Sequence, residues 1–142
     1  MKYIFSLKRA HEHYLDIEFS ADVKADETLL QLPSWRPGRY ELGNFAKNVQ
    51  HLAVFHEMNG WLAPQKISKD CWKVNTKGMK KLKVRYSYYA ADLNAGSTFL
   101  NEEQLYVNPV NCCIYIPDRI NDKYLLELKL PNDYKTTLPL QK

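Results

Sequence analysis

The chain has 142 residues, an apolar content of 45%, a charged content of 25% and a net charge of +4. This length corresponds to one domain that can bury a core without disulfide or metal staples, and no apolar run approaches the roughly 20 residues of a membrane-spanning helix. The 20 basic residues are scattered and form no dense tract, which argues against nucleic-acid binding.

In chain order, the first predicted elements are strands in which apolar and polar residues alternate with period two. The pattern occurs at 3–7 and 15–19 and returns at 82–88 and 124–130. Its apolar positions are Tyr3, Phe5, Leu7, Leu15, Ile17, Phe19, Leu82, Val84, Tyr86, Tyr88, Tyr124, Leu126, Leu128 and Leu130. Each strand has one face for the core, so the sequence predicts an all-β fold, an antiparallel β-sandwich, as a single domain over residues 1–142.

Turn residues separate these strands. Asn59-Gly60 predicts a two-residue hairpin, because both central residues of a type I′ turn need positive φ. The sequence "NTKG" at 75–78 predicts a second turn. Only 40–48 is compatible with a helix, and its glycine weakens even that, so at most one short helical turn is predicted.

The histidines are the first candidates for chemistry. His11 and His13 are two apart on a predicted strand and would face the same way, roughly 7 Å apart, a spacing that can hold zinc. A third ligand is missing because Glu12 points to the other face, so exposed strand histidines are the preferred interpretation. His51 and His56 are interpreted as edge or core residues.

No set of nucleophile, base and orienting group is present. Three cysteines cannot all pair within the chain, and Cys112 and Cys113 are expected on opposite faces of a strand, at least one of them as a buried small hydrophobe. Ser34 and Ser97 have no G-x-S-x-G context. Catalysis by this chain alone is therefore not predicted. The N-terminus does not read as a signal peptide, which favours a cytoplasmic location, although removal of a signal would leave the same sequence.

The loop at 32–48 has an unusual composition. Pro33 and Pro37 restrict its backbone and Gly38 permits a sharp turn, so the loop is expected to be fixed. Its aromatic side chains either plug the open end of the sandwich, which we favour, or form an exposed recognition surface. These side chains are Trp35, Tyr40 and Phe45.

Two arginines of this loop are less easily explained by packing. Arg36 and Arg39 could pair with Glu41 or neighbouring acidic residues, or could meet a carboxylate of a partner.

The same loop carries a family resemblance. The pattern L-P-x-W-x-P-G-x-Y, followed by F-A-x-N-V, runs from Leu32 to Val49. It resembles the N-terminal domain of the glycyl aminopeptidase family, metallopeptidase family sixty-one. Looser matches follow in order: "CWKV" at 71–74, "VRYSYYAADL" at 84–93, "TFLN" at 98–101 and "YVNPVNCCIYIP" at 106–117. The resemblance therefore extends over nearly the whole chain.

The resemblance implies a division of labour. In such proteins a non-catalytic β-rich domain precedes a thermolysin-like zinc domain with an H-E-x-x-H motif, often followed by a PDZ-like module. Zinc and the catalytic residues are then expected in that catalytic domain, and no metal ligand, cofactor or catalytic residue is assigned to this chain. The segment "LKLPNDYKTTLPLQK" resembles the last strands of the domain. The chain is thus expected to be a truncated piece of an aminopeptidase that acts on peptides with small N-terminal residues such as glycine or alanine.

The implied partners are the catalytic domain of the same polypeptide and a peptide substrate, and the isolated domain would be prone to self-associate. The candidate interdomain or substrate-cleft surface comprises Trp35, Arg36, Pro37, Gly38, Arg39, Tyr40, Phe45 and Asn48. Many relatives carry an Arg-Asp or Arg-Glu pair before the phenylalanine, where this chain has Gly43-Asn44. Any role of that arginine is then lost or moved to Arg36 or Arg39. The alternative is a stand-alone module that binds carbohydrate or protein, with its aromatic side chains in a planar exposed row.

Overall fold

The computed structural model describes residues 1–138. Strands dominate it, and alternating burial marks each long one. In the strand Tyr14–Asp22, for example, Leu15, Ile17 and Phe19 are buried while Glu18 is exposed. The strands are β1 (Lys2–Arg9), β2 (Tyr14–Asp22), β3 (Glu27–Gln31), β4 (Val49–His56), β5 (Gly60–Leu62), β6 (Gln65–Ser68), β7 (Cys71–Asn75), β8 (Lys81–Tyr89), β9 (Phe99–Leu100), β10 (Leu105–Tyr106) and β11 (Leu125–Lys129).

Two sheets enclose the core. The larger has six strands in the order β11-β1-β2-β8-β4-β5, and the smaller has the order β3-β7-β6, with a separate β9-β10 pair. Phe5, Ile17 and Val84 of the larger sheet share one buried cluster with Leu30 and Trp72 of the smaller. Burial of each such side chain stabilises the fold by about 1.5–3 kcal/mol. The prediction of an all-β sandwich is confirmed.

One pair of strands departs from the antiparallel prediction. β11 runs parallel to β1, with Tyr3 opposite Leu126 and Phe5 opposite Leu128. The two strands start side by side, since the amino terminus of Met1 donates to the carbonyl of Lys123 at 3.0 Å. Parallel neighbours need a long connection between them, and here almost the whole domain lies between the two strands. From 131 to 138 the chain has no strand, and the rest of the predicted final segment, 139–142, lies outside the described residues.

Short helical turns are more numerous than predicted. The turn predicted within 40–48 is present as a 3-10 helix at Phe45–Asn48, but the described residues contain three further single turns. These are Ala10–Glu12, Pro109–Cys112 and Pro117–Arg119. The α-helical turn Pro109–Cys112 follows a standard start signal, because Asn108 caps it by accepting a hydrogen bond from the Val110 N–H at 3.3 Å and a proline occupies its first position.

The hairpin between β4 and β5 is present, but its turn is not of the predicted type. Its loop has three residues, closed by a bond from the Asn59 N–H to the His56 carbonyl at 3.2 Å. Gly60 takes the positive φ of 71°, whereas Asn59 does not. This is a turn followed by a left-handed glycine, the common three-residue alternative to type I′. The predicted turn at "NTKG" is confirmed, with Gly78 at φ 78°.

Buried tyrosine hydroxyls attach the segment at 112–116 to the core. Tyr86 donates to the Cys112 carbonyl at 2.7 Å and accepts from the Ile114 N–H at 3.2 Å. Tyr3 donates to the Ile114 carbonyl at 2.5 Å. Burial raises the pKa of Tyr86 well above its ordinary value, so this hydroxyl stays a donor. These bonds hold the helical turn Pro109–Cys112 beside β8, where it forms part of the candidate site.

Candidate functional site

The loop from Leu32 to Asn48 connects β3 to β4 and is closed by its own backbone. Leu32 is fully buried, and its N–H donates to the Asp70 carbonyl at 2.9 Å. The Gly43 N–H donates to the Ser34 carbonyl at 2.8 Å, which joins the two ends of a ten-residue excursion. Gly38 lies within this excursion at φ 83°, a conformation that favours glycine.

The three aromatic side chains of the loop have different environments. Phe45 is only 9% exposed and joins the core. Trp35 is 50% exposed, with its Nε1 donating to the Arg39 carbonyl at 2.5 Å, and Tyr40 is fully exposed. The favoured plug interpretation is therefore right for Phe45 and wrong for Trp35 and Tyr40, whose side chains are exposed to solvent.

The arginines also differ. Arg39 forms an exposed ion pair with Glu41, with Nη1 and Oε1 3.4 Å apart, as one of the sequence alternatives anticipated. Among residues 1–138 Arg36 has no carboxylate partner, and it donates instead through Nη1 to the carbonyl oxygen of Gly96. A Cβ at residue 96 would collide with this guanidinium. Glycine at 96 thus makes room for the arginine.

Three donors converge on the Gly96 carbonyl oxygen. Besides Arg36, Asn108 Nδ2 donates at 3.2 Å and Asn111 Nδ2 at 2.8 Å. The three donors come from the loop 32–48, from the residue before the helical turn and from the turn itself. This oxygen therefore ties the loop to two other segments of the chain.

A cavity of about 310 Å³ lies between these segments. Four of the predicted surface residues line it, namely Arg36, Arg39, Phe45 and Asn48, whereas Trp35, Pro37, Gly38 and Tyr40 do not. Further lining residues of the loop are Glu41, Leu42, Gly43 and Lys47, and the opposite wall comprises Tyr88, Tyr89, Asp92, Asn94, Gly96, Ser97, Thr98 and Asn111.

Sequence reasoning missed this opposite wall. Its residues lie within or beside the segments "VRYSYYAADL", "TFLN" and "YVNPVNCCIYIP", which carry the resemblance but contain none of the predicted surface residues. The sequence Asn108-Pro109 is typical of the start of a helix, with asparagine as the cap and proline in the first position, so it could have predicted the helical turn. No local pattern could show that this turn meets residues 32–48.

Two polar groups in the cavity wall are deeply buried. Asn48 Nδ2 donates to the hydroxyl of Tyr88 at 3.2 Å, and burial raises the pKa of Tyr88 to about 12, so its phenol is neutral at physiological pH. Asn111 is 2% exposed, and its Oδ1 has no hydrogen-bond partner within residues 1–138.

The other sequence candidates are not brought together. His11 lies in the helical turn Ala10–Glu12 and His13 follows it at φ 62°, so the predicted strand is absent at this point. The His13 Nδ1 lies 2.6 Å from the Leu100 carbonyl oxygen. Among the described residues no three His, Cys, Asp or Glu side chains are placed to hold a metal ion.

The adjacent cysteines lie at the end of the helical turn and not on a strand. Cys112 is fully buried, which confirms the expectation that at least one of the pair is a small buried hydrophobe. A hydrogen bond with Cys112 and burial raise the pKa of Cys113 well above its ordinary value, which disfavours a reactive thiolate. Within residues 1–138 no helix is long and apolar enough to cross a membrane.

Fold and site together define a β-sandwich domain with a loop-walled cavity. The chain belongs to the Peptidase M61 N-terminal domain family, which matches residues 2–142. It is also similar to a solved aminopeptidase N family protein from Idiomarina loihiensis, with a TM-score of 0.80 and 26% identity. That match covers 89% of this chain and 22% of the Idiomarina chain. No curated protein gives a significant match.

Proposed function

We propose that this chain is a non-catalytic domain of a larger peptidase, and that the loop 32–48 packs against the catalytic domain of the same polypeptide and borders its substrate cleft. Membership of a peptidase family's N-terminal domain supports the peptidase association. The observation that carries the cleft assignment is the closed loop. It presents Trp35 and Tyr40 to solvent while its inner side lines a cavity.

The exposed side chains of the loop suit an interface between domains. Leu42 is also exposed and lies between Tyr40 and the closing bond at Gly43. Burying large side chains such as these stabilises an interface by about 1.5–3 kcal/mol each. Because the loop is already closed by hydrogen bonds, little further ordering cost would be incurred on docking.

The hydrolytic chemistry is assigned to another part of the polypeptide. In this proposal residues 1–142 form a single domain, the catalytic domain follows it, and zinc is bound there and not here. The substrates proposed are peptides with small N-terminal residues such as glycine or alanine, as the family resemblance implies. Pro37 and Gly38 shape the rim of the loop, whereas Arg36 and Asn48 hold its inner side.

The rival interpretation, a stand-alone binding module, is less well supported. A carbohydrate platform needs aromatic rings that form a flat exposed row. Of the contacting pairs that include an exposed ring, Tyr14 and Tyr89 are tilted at 52° and Phe55 and Trp61 are edge-on at 61°. The exposed ring of Tyr124 stacks at 16° on Tyr3, which is buried in the core, so this pair does not form an exposed row. Most other aromatic side chains belong to the single core, and Trp35 and Tyr40 form a separate patch.

The proposal is tested in the longer polypeptide that continues past residue 142. We expect Trp35→Ala/Tyr40→Ala to lower kcat/KM for short peptides with N-terminal glycine or alanine by tenfold or more, since about 1.4 kcal/mol of interface or positioning energy corresponds to tenfold. Met58→Ala is the matched control, because Met58 is 95% exposed at the tip of the β4–β5 hairpin, outside the loop. Unchanged kcat/KM in the double variant would exclude the cleft assignment.

A further inference from the structure

Only one of the two polar atoms of the Asn111 carboxamide is hydrogen-bonded within residues 1–138. Its Nδ2 donates to the Gly96 carbonyl, while its Oδ1 has no partner within residues 1–138 although the residue is 2% exposed. An unpartnered buried acceptor costs about 1–3 kcal/mol, so such atoms are rare and call for an explanation. Asn111 is one of the residues that line the cavity.

The orientation of this carboxamide is fixed by its neighbour. Exchanging Oδ1 and Nδ2 would place an acceptor against the Gly96 carbonyl oxygen, which is itself an acceptor. The atom without a partner is therefore the oxygen. The carbonyl also has two other donors, from Arg36 and Asn108, so it would not lose all its hydrogen bonds without Asn111. The fold thus does not depend on a polar side chain at 111.

The positive charge of Arg36 beside Asn111 determines which hydrogen-bond donors of a ligand can approach Asn111 Oδ1. Because Arg36 and Asn111 bind the same carbonyl oxygen, the guanidinium lies within two hydrogen-bond lengths of the carboxamide. Arg36, Arg39 and Lys47 line the cavity together with Glu41 and Asp92, so three cations face two carboxylates. A cationic donor such as a free amino terminus is disfavoured beside the guanidinium of Arg36. A neutral N–H group would not be, and Lys47 on the cavity wall offers a donor to a carbonyl of the same ligand.

We infer that the cavity binds a neutral, extended stretch of peptide backbone that donates one amide N–H to Asn111 Oδ1. Peptide backbone presents N–H and C=O groups in alternation, which matches an acceptor at Asn111 beside cationic donors. A cavity of about 310 Å³ is at the lower end of the range for ligand sites, which limits the bound stretch to a few small residues. The inference rests on the proposed function in taking the ligand to be a peptide.

The test is a titration of the 142-residue chain with acetyl-trialanine-methylamide and with an analogue methylated at every amide nitrogen. We expect the unmethylated peptide to bind about tenfold tighter, the effect of one buried hydrogen bond, and to shift the NMR signal of the Asn111 side-chain amide. Asn111→Leu should remove the difference between the two peptides while leaving the thermal midpoint unchanged or raised, since an unpartnered buried acceptor is removed. If Asn111 had only a structural role, Asn111→Leu would not remove the preference for the unmethylated peptide while leaving the thermal midpoint unchanged or raised.

Thr28→Val is the matched control. It removes a buried hydrogen bond to Thr76, 3.1 Å long, away from the cavity, so it should lower the thermal midpoint and leave the preference for the unmethylated peptide intact. Equal affinity of the two peptides for the native chain, or no binding of either, would overturn the inference. So would a lowered midpoint with an intact preference in Asn111→Leu, which would assign Oδ1 to a bound water. Because neither a catalytic domain nor cleavage is involved, this inference and the cleft assignment can fail independently.

Discussion

Gly96 is the residue on which the attachment of the loop depends most directly. Its φ is not in the left-handed region, so space alone requires glycine here: a Cβ would collide with Arg36. We expect Gly96→Ala to displace the guanidinium and to lower the free energy of unfolding by about 1–3 kcal/mol, the range for a hydrogen bond to a charged group and for overpacking. Urea-induced unfolding measures this change.

A double-mutant cycle identifies the cause. If Gly96→Ala acts by displacing Arg36, then adding Arg36→Ala should cost little more, because both substitutions remove the same contact. Gly78→Ala is the control: Gly78 has φ 78° and open space around it, so its cost of about 1–3 kcal/mol comes from the backbone and should add to that of Arg36→Ala. Additive effects of the Gly96 and Arg36 substitutions would contradict this account.

Among the elements, the turn Pro117–Arg119 is attached to β2 through Arg119, whose guanidinium also pairs with Asp122. Arg119 donates to Asp122 Oδ2 at 2.8 Å and to the Asp22 carbonyl at 2.6 Å. The hydrogen bond from Arg119 lowers the pKa of Asp122 below its usual value. Since the folded-state pKa lies below that of the unfolded chain, the stabilisation is fully present above the unfolded value and is lost as the pH falls through the folded value.

We therefore expect Asp122→Asn to lower the thermal midpoint at neutral pH and to reduce its decline between about pH 5 and pH 3. Asp118→Asn is the control, because Asp118 is exposed on the same turn and has no ion pair among the described residues. Scanning calorimetry over this pH range measures both variants. An acid decline in Asp122→Asn as steep as that of the native chain would show that the pair does not contribute.

For the strands, the sequence predicted the features that depend on the local alternation of apolar and polar residues. The alternation at 15–19 and 82–88 predicted which side chains enter the core, since a strand that has one buried face must repeat with period two. The parallel pairing of β11 with β1 has no such local signature: Leu126 and Leu128 alternate in the same way in either direction. Likewise Phe45 and Asn48 could be chosen from the loop motif, but the wall formed by Asn94, Gly96 and Asn111 depends on long-range contacts.

For the whole molecule, the exposed patch of Trp35, Tyr40 and Leu42 has a consequence for the isolated chain. Apolar side chains that the longer protein would cover are open to a second copy. We expect the 142-residue chain to self-associate as its concentration rises, and Trp35→Ala/Tyr40→Ala to weaken this association about tenfold or more. Sedimentation velocity measures both, with Met58→Ala as the control. A native chain that stays monomeric at high micromolar concentration would argue against a covered interface.

We propose that this domain serves a peptidase without performing the cleavage. The measurement that tests it most directly compares the 142-residue chain with the polypeptide extended past Lys142, assaying bound zinc and the release of N-terminal residues from short peptides. The account predicts zinc and aminopeptidase activity in the longer protein and neither in the 142-residue chain. Cleavage by the 142-residue chain, or a longer protein with no zinc motif and no activity, would contradict it.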